Sequence, residues 1–252
     1  MTVLIPLGGS SVFFPKEEFH YPRPLIEIRG EPVIKRVVAN LRSLGPDLSF
    51  TFVINLSDQR DFHLDRVLRL VAGDQTNIVA LDGHAQGAAC SCLMAIEAVD
   101  PRQALVIANS DQILDIDLSE AIRFFRERDA DAGVVVFEAV HPRWSFARIV
   151  DELVVETDEK RPISSNAIAG LYYFREAADF FDAAMLSIKR NAAVEGKFYV
   201  APVLNELILK GRTVRAFSVD REKYHSFYTP QKLTEYEAFL VEQSRKGAGG
   251  SL

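Results

Sequence analysis

The sequence predicts an α/β fold built on a largely parallel sheet. Short apolar, β-branched-rich runs alternate with amphipathic stretches of helical period through the first half of the 252 residues, and that alternation is the pattern of βαβ units. Runs such as Ala104-Leu105-Val106-Ile107-Ala108 carry no polar alternation, as expected of strands covered on both faces. The length allows one large domain with a full core or two small ones. No internal repeat and no long linker divides the chain, so the expectation is one domain over 1–244, with an N-terminal half of about 1–115, a C-terminal half of about 116–244 and a flexible tail at 245–252.

In chain order, residues 3–7 form the first strand. Pro32 opens a helix that runs to Leu44, with Val33, Ile34, Val37, Val38 and Leu41 as its apolar stripe and Gly45-Pro46 as its stop. Phe50 to Ile54 is a buried strand, and Ser57-Asp58 cap the next helix. Ile78 to Leu81 is the third strand, a helix follows over about 87–98, and Ala104 to Ala108 is the fourth strand, ending in Asn109-Ser110-Asp111-Gln112. A helix spans about 118–128. The pattern then changes: a strand over 132–138, a hairpin of 146–150 and 153–156 turning at Asp151-Glu152, and a strand over 168–174. Helices follow near 176–190 and 200–210, then a strand at 213–218 and a last helix from Pro230 to about Ser244.

Composition narrows the function. Nearly half the residues are apolar (48%), a quarter are charged and the net charge is −6, an ordinary soluble composition but the wrong sign for a nucleic-acid backbone. No run approaches the ~18 apolar residues of a membrane span, and Met1-Thr2 leads straight into a strand without a leader-like segment, so the expectation is a cytoplasmic protein. Cys90 and Cys92 lie two apart in a helical stretch and point in different directions, which argues against a bridge. The histidines at 20, 63, 84, 141 and 225 show no zinc-ligand spacing, and neither a Gly-x-Ser-x-Gly elbow nor a Gly-x-x-x-x-Gly-Lys-Ser/Thr loop is present.

Four segments carry candidate chemistry. Gly8-Gly9-Ser10-Ser11 follows a strand and reads either as a phosphate cradle of free backbone N–H groups or as a plain turn. Asn109-Ser110-Asp111-Gln112 stands at the carboxyl end of a buried strand, where ligands of open α/β sheets collect. Asp111 there reads as a ligand for Mg²⁺, which takes one or two carboxylates plus phosphate oxygens and water, or as a turn residue; Asp115 and Asp117 read as surface or cap residues. In Asp158-Glu159-Lys160-Arg161-Pro162, followed by Asn166 to Gly170, the charges read as a solvated loop or as partners for the hydroxyls and phosphate of an acceptor. Gly170 inside an apolar strand signals close approach by a ligand or by other backbone. Asp82 to Ala89 links a strand end to a helix start with small residues on which a flat ring can lie.

Taken together, these segments resemble the sugar-phosphate nucleotidyltransferases. The residues that carry the resemblance are the first strand with Gly8-Gly9, the run Pro22-Arg23-Pro24-Leu25-Ile26-Glu27-Ile28, Gly30-Glu31-Pro32-Val33-Ile34, Asn109-Ser110-Asp111, and the late run from Phe198 to Glu206. It extends from residue 3 to about 235, and His141 to Ala147 resembles a segment of a bacterial capsule and surface-polysaccharide branch. The resemblance implies a three-layer α/β/α, glycosyltransferase-A-like fold with a mixed, mostly parallel sheet, and attack of an acceptor phosphate on the α-phosphorus of an NTP with release of pyrophosphate. It implies Arg23 and Asp111 as catalytic residues, Asp111 holding Mg²⁺. Leu7, Gly8, Gly9, Ser10, Ser11, Gln86, Gly87 and Asn109 would bind the nucleotide; Glu159, Lys160, Asn166 and Gly170 would bind a phosphorylated small-molecule acceptor. A homo-oligomer is also implied.

Three positions depart from the family pattern. Phe13 stands where the loop has an arginine, Arg23 where it has a lysine, and Ser226, in His225-Ser226-Phe227-Tyr228, where a second metal-binding aspartate is expected. Arginine keeps the charge but spreads it over a planar fork; Phe13 removes one, and Lys16 is near enough in sequence to replace it. Besides the transferase, two other readings follow: a degenerate protein that binds nucleotide or nucleotide-sugar without turnover, and a glycosyltransferase on the same fold, which the Pro22–Glu27 run disfavours.

Overall fold

The computed structural model describes residues 1–9, 13–15 and 17–248. The chain alternates as expected through its first half: β1 (Thr2–Pro6), β2 (Glu27–Ile28), β3 (Glu31–Pro32), α1 (Val33–Leu41), β4 (Ser49–Asn55), α2 (Leu56–Phe62), α3 (Leu64–Ala72), β5 (Asn77–Leu81), α4 (Ala88–Leu93), β6 (Leu105–Ala108), β7 (Gln112–Leu114) and α5 (Leu118–Glu127). The second half continues with β8 (Ala132–Glu138), β9 (Ser145–Val150), β10 (Leu153–Glu159), β11 (Asn166–Phe174), α6 (Ala177–Lys189), α7 (Val200–Leu209), β12 (Val214–Ser218), β13 (Tyr224–Ser226) and α8 (Pro230–Ala248).

Nine strands form one mixed sheet in the order β5-β4-β1-β6-β11-β8-β12-β10-β9. The first four are parallel. The direction reverses at β11, which runs antiparallel to both β6 and β8, and the β9–β10 hairpin curls back so that Phe146 pairs with Ala167 of β11. The hairpin turns at Asp151 and Glu152, both at positive φ (48° and 64°), the paired left-handed conformation of the turns that match strand twist.

Helices cover both faces, giving the expected three layers. Val3 and Ile5 of β1 point into one core with side chains of α1, α3, α5 and α8, while Leu4 points into the other with side chains of α4, α6 and α7. Successive strand residues face opposite ways, so a strand buried on both sides must be apolar throughout, as β6 is.

Several boundaries differ from the sequence reading. The helix from Pro32 narrows to a 3₁₀ turn at Arg42–Leu44, and that from Gly87 breaks into α4 and a 3₁₀ turn at Ile96–Ala98. Asn55, not Ser57 or Asp58, is the N-cap of α2, because β4 runs directly into the helix. His63 at φ 51° ends α2 and starts α3. Asp117 caps α5, accepting from the Ser119 N–H at 3.0 Å. Helix α8 continues four residues past Ser244 to Ala248, so residues 245–248 of the expected tail are helical; residues 249–252 lie outside the described residues. Cys90 is half-buried and Cys92 buried, and both are free.

Candidate functional site

The two residues expected to be catalytic meet. Arg23 opens a 3₁₀ turn after Pro22, and buried Pro24 anchors that turn. Asp111 follows β6 at the carboxyl end of the parallel strands. The Arg23 Nη1 donates to Asp111 Oδ2 at 2.8 Å across 88 residues of chain, with both side chains mostly buried, at 19% and 16% exposure. Such a charge-assisted bond is strong.

The late Ser226 stands alongside. β7 and β13 pair antiparallel with Gln112 opposite Ser226, and the Phe227 N–H donates to the Asp111 carbonyl at 2.7 Å. Next to them Phe13 packs against Tyr228, ring centroids 4.9 Å apart and tilted by 58°. Two of the positions that depart from the family pattern, Phe13 and Ser226, thus gather at one spot beside Asp111, where Tyr228 joins them.

Along the first loop, Leu7 is buried and its N–H donates to the Val53 carbonyl at 2.7 Å, extending the sheet by one residue. A Cβ on Gly8 would lie 3.2 Å from Asn55 Oδ1, whereas Gly9 is exposed and a Cβ there would meet nothing within 4 Å among the described residues. Ser10, Ser11 and Lys16 lie outside the described residues.

Asn109, Gly170 and Gln112 form a packed unit. The Asn109 N–H donates to the Gly170 carbonyl at 2.9 Å. Gly170 has φ 61°, and a Cβ there would fall 2.2 Å from Asn109 Nδ2 and 2.6 Å from Gln112 Oε1. The close approach that its position signals is therefore made by this chain's own side chains. Gln112 is buried; its Nε2 donates to the Ala169 carbonyl and its Oε1 accepts from the Tyr224 hydroxyl at 3.2 Å. Gln112 and Tyr224, not among the candidates from sequence, tie β7, β11 and β13 together under Asp111.

Gln86 and Gly87 are held by Phe198. The Phe198 N–H donates to the Gln86 carbonyl at 2.8 Å, and the Ala89 N–H donates to the Phe198 carbonyl at 3.0 Å. Gly87, at φ 106°, brings its Cα so close that a Cβ would lie 2.3 Å from the Phe198 carbonyl oxygen. The Gln86 side chain is exposed.

On the far side, Glu159 of β10 lies opposite Ser145 of β9, and the Ser145 hydroxyl donates to Glu159 Oε2. Glu159 is 8% exposed; burial raises its carboxyl above the usual range, partly offset by that hydroxyl and by Lys160. Lys160, at φ 60°, pairs through Nζ with Glu195 and lies over the Tyr199 ring at 5.5 Å. The Glu195 bond raises its pKa. The Lys160 N–H donates to the Trp144 carbonyl at 3.0 Å. Asn166 begins β11 opposite Glu138, its N–H donating to Ser164 Oγ at 3.0 Å.

Among the described residues, no group of three or more His, Cys, Asp or Glu side chains is placed to hold a metal ion. Asp111 fits the sparsest arrangement Mg²⁺ accepts: one carboxylate, with substrate phosphate oxygens and water completing the shell. Arg23 engages Oδ2, leaving Oδ1 for that role.

No protein-family model and no curated protein match the sequence. Solved structures do match in fold. A nucleoside-diphosphate-sugar pyrophosphorylase of Vibrio cholerae RC9 superposes with a TM-score of 0.80 at 22% identity, over 94% of this chain and 99% of that one. A candidate glucose-1-phosphate thymidylyltransferase of Bacillus anthracis, in complex with sucrose, gives 0.76 at 18%, over 94% of each chain. A UDP-glucose pyrophosphorylase complexed with UDP-glucose gives 0.76 at 14%, over 96% of this chain and 98% of that one. The chain thus has the mixed, Rossmann-like α/β fold of the nucleotidyltransferases. No helix among the described residues is long and apolar enough to cross a membrane.

Proposed function

We propose that this chain transfers a nucleoside monophosphate from an NTP to a phosphorylated small-molecule acceptor, a sugar phosphate or phosphorylated alcohol, releasing pyrophosphate. The observation that carries the reading is the Arg23–Asp111 contact at the carboxyl ends of the parallel strands, 2.8 Å long, in a chain whose fold matches nucleotide-sugar pyrophosphorylases over nearly its whole length. A phosphate oxygen of the acceptor forms the new bond to the α-phosphorus, and the bond from that phosphorus to the bridging oxygen of the β-phosphate breaks. The acceptor phosphate is already ionised at neutral pH, so no general base is required. What the site must supply is positioning and positive charge between two anions.

Arg23 supplies charge in a planar fork that suits phosphate oxygens. Asp111 orients that fork and would hold Mg²⁺, which when bound offsets charge on the phosphates. Leu7, Gly8, Gly9, Ser10, Ser11 and Asn109 would carry the triphosphate, and Gln86 and Gly87 the base. Glu159 would accept from acceptor hydroxyls, Lys160 would pair with the acceptor phosphate once it leaves Glu195, and Asn166 and Gly170 would complete that side. The wider role is synthesis of bacterial surface-polysaccharide precursors in the cytoplasm. Incubation with each NTP, Mg²⁺ and a broad panel of sugar and alcohol phosphates tests the reaction. Pyrophosphate above an Asp111→Ala control supports it; none above that control sinks it.

The cluster of Phe13, Ser226 and Tyr228 favours a second reading, binding of nucleotide or nucleotide-sugar without turnover, because an aromatic pair and a hydroxyl occupy ground where cation and carboxylate are expected. Calorimetry with nucleotides and nucleotide-sugars tests it, and absence of any heat of binding defeats it.

A further inference from the structure

A cavity of about 380 Å³ opens between the 141–145 loop, β13 and α8, within the size range of small-molecule sites. It adjoins both the centre and the acceptor arm. Its wall residue Ser226 pairs with Gln112 next to Asp111. Its wall residue Tyr224 donates to Gln112 and feels the Asp111 charge. Its wall residue Trp144 accepts from the Lys160 N–H. The cavity therefore borders both the phosphate centre and the acceptor arm.

Its cations are distinctive. Arg143 lies over the Trp144 ring at 4.4 Å. Arg221 lies over Phe137 and Tyr224 at 5.1 and 5.6 Å and donates to the Tyr224 carbonyl at 3.1 Å. Among the described residues neither arginine has a carboxylate within ion-pair distance, although the Arg143 charge reaches Glu235, which pairs with Lys232 on the same wall. The remaining acid on the wall is Glu222. Stacking on aromatic faces holds a guanidinium in place while leaving its edge for hydrogen bonds. Two such forks facing one cavity form a receptor for an anion.

We propose, resting on the transferase reading, that the acceptor carries a second anionic group beyond the phosphate that attacks, and that Arg143 and Arg221 bind it. The first anion goes to the Arg23 and Lys160 side, the second to this cavity, with the body of the acceptor lying on Trp144.

Glucose 1-phosphate, glucuronic acid 1-phosphate and glucose 1,6-bisphosphate separate the cases: one anion, an added carboxylate, an added phosphate. Each is titrated into the nucleotide-loaded chain by calorimetry and assayed for pyrophosphate release. A mismatch in the sugar itself weakens all three alike and leaves their ratios intact. At least one doubly anionic acceptor should bind about tenfold more tightly than glucose 1-phosphate, and which one does so identifies the second anion as carboxylate or phosphate. In Arg143→Gln, and in Arg143→Gln with Arg221→Gln, that ratio should fall toward one; both side chains are exposed, so the fold should survive. Equal binding of all three acceptors, a ratio unchanged in the variants, or no binding of any acceptor overturns the proposal. Charge-selective binding without pyrophosphate would instead overturn the transferase reading and leave the anion receptor standing.

Discussion

The proposed phosphate centre and the proposed acceptor arm belong to one domain but are built differently. The centre joins residues from separate segments, Arg23 at the start of a 3₁₀ turn and Asp111 after β6, through their 2.8 Å contact. The acceptor arm lies on a hairpin, where Glu159 and Ser145 are fixed opposite one another by strand register. A residue on a ladder is positioned by its neighbours' backbone bonds, whereas a residue on a turn is positioned by its own side-chain contacts. The departures from the nucleotidyltransferase signature divide between the two kinds of support: Arg23 stands in the 3₁₀ turn and Phe13 on the first loop, while Ser226 lies on the short β7–β13 ladder. On the other side Glu159 stands on its ladder, and Lys160 follows it at φ 60°.

The centre is the more easily disrupted of the two. Asp111→Ala leaves Arg23 without its anchor and should lower pyrophosphate release by about 10²–10³-fold, measured at saturating nucleotide. A smaller loss would mean the centre does not depend on that contact.

Gly170→Ala attacks the seam between the two sides. Its Cβ would fall 2.2 Å from Asn109 Nδ2 at a φ of 61°, so denaturant unfolding should show a loss of about 1–3 kcal/mol. An unchanged midpoint would mean that the Asn109–Gln112 unit yields freely.

Glu159 sharpens the acceptor side through pH. Burial raises its folded pKa above its unfolded value, so the folded state holds this proton at a pH where the unfolded chain has lost it. Its contribution to stability is therefore full below about pH 4.5 and lost as pH rises through the folded pKa. Glu159→Gln should flatten that part of the stability–pH curve; identical curves would place Glu159 in water. The smallest effect belongs to the Phe13–Tyr228 pair. A double-mutant cycle to alanine should give a coupling of about 0.5 kcal/mol, low because the rings are 43% and 40% exposed, and Phe13→Arg should tighten NTP binding.

Much of the fold was legible because the parallel strands are predominantly apolar and the helices keep a clear stripe. β7 and β13 were not: each is three residues long, too short for periodicity, and they find each other 112 residues apart. Arg23 and Asp111 were each legible from local context, Pro22-Arg23-Pro24 and the strand end at Asn109, but their contact depends on the order of strands in the sheet. Gly170 read as a point of close approach by a ligand or other backbone; what approaches it is the side chains of Asn109 and Gln112, and Asn109 could emerge as a neighbour only from the antiparallel placement of β11 on β6. The cavity draws Arg143 from one loop and Arg221 from another, and no spacing in the chain announces it.

The most direct test measures both products of one reaction: pyrophosphate and the nucleotidylated acceptor, from NTP, Mg²⁺ and an acceptor panel that includes doubly anionic phosphates. Equal amounts of the two products, abolished together in Asp111→Ala, are the predicted result. Pyrophosphate without nucleotidylated acceptor, or equal yields from the wild type and Asp111→Ala, would contradict the assignment of Arg23 and Asp111 as the centre of nucleotidyl transfer.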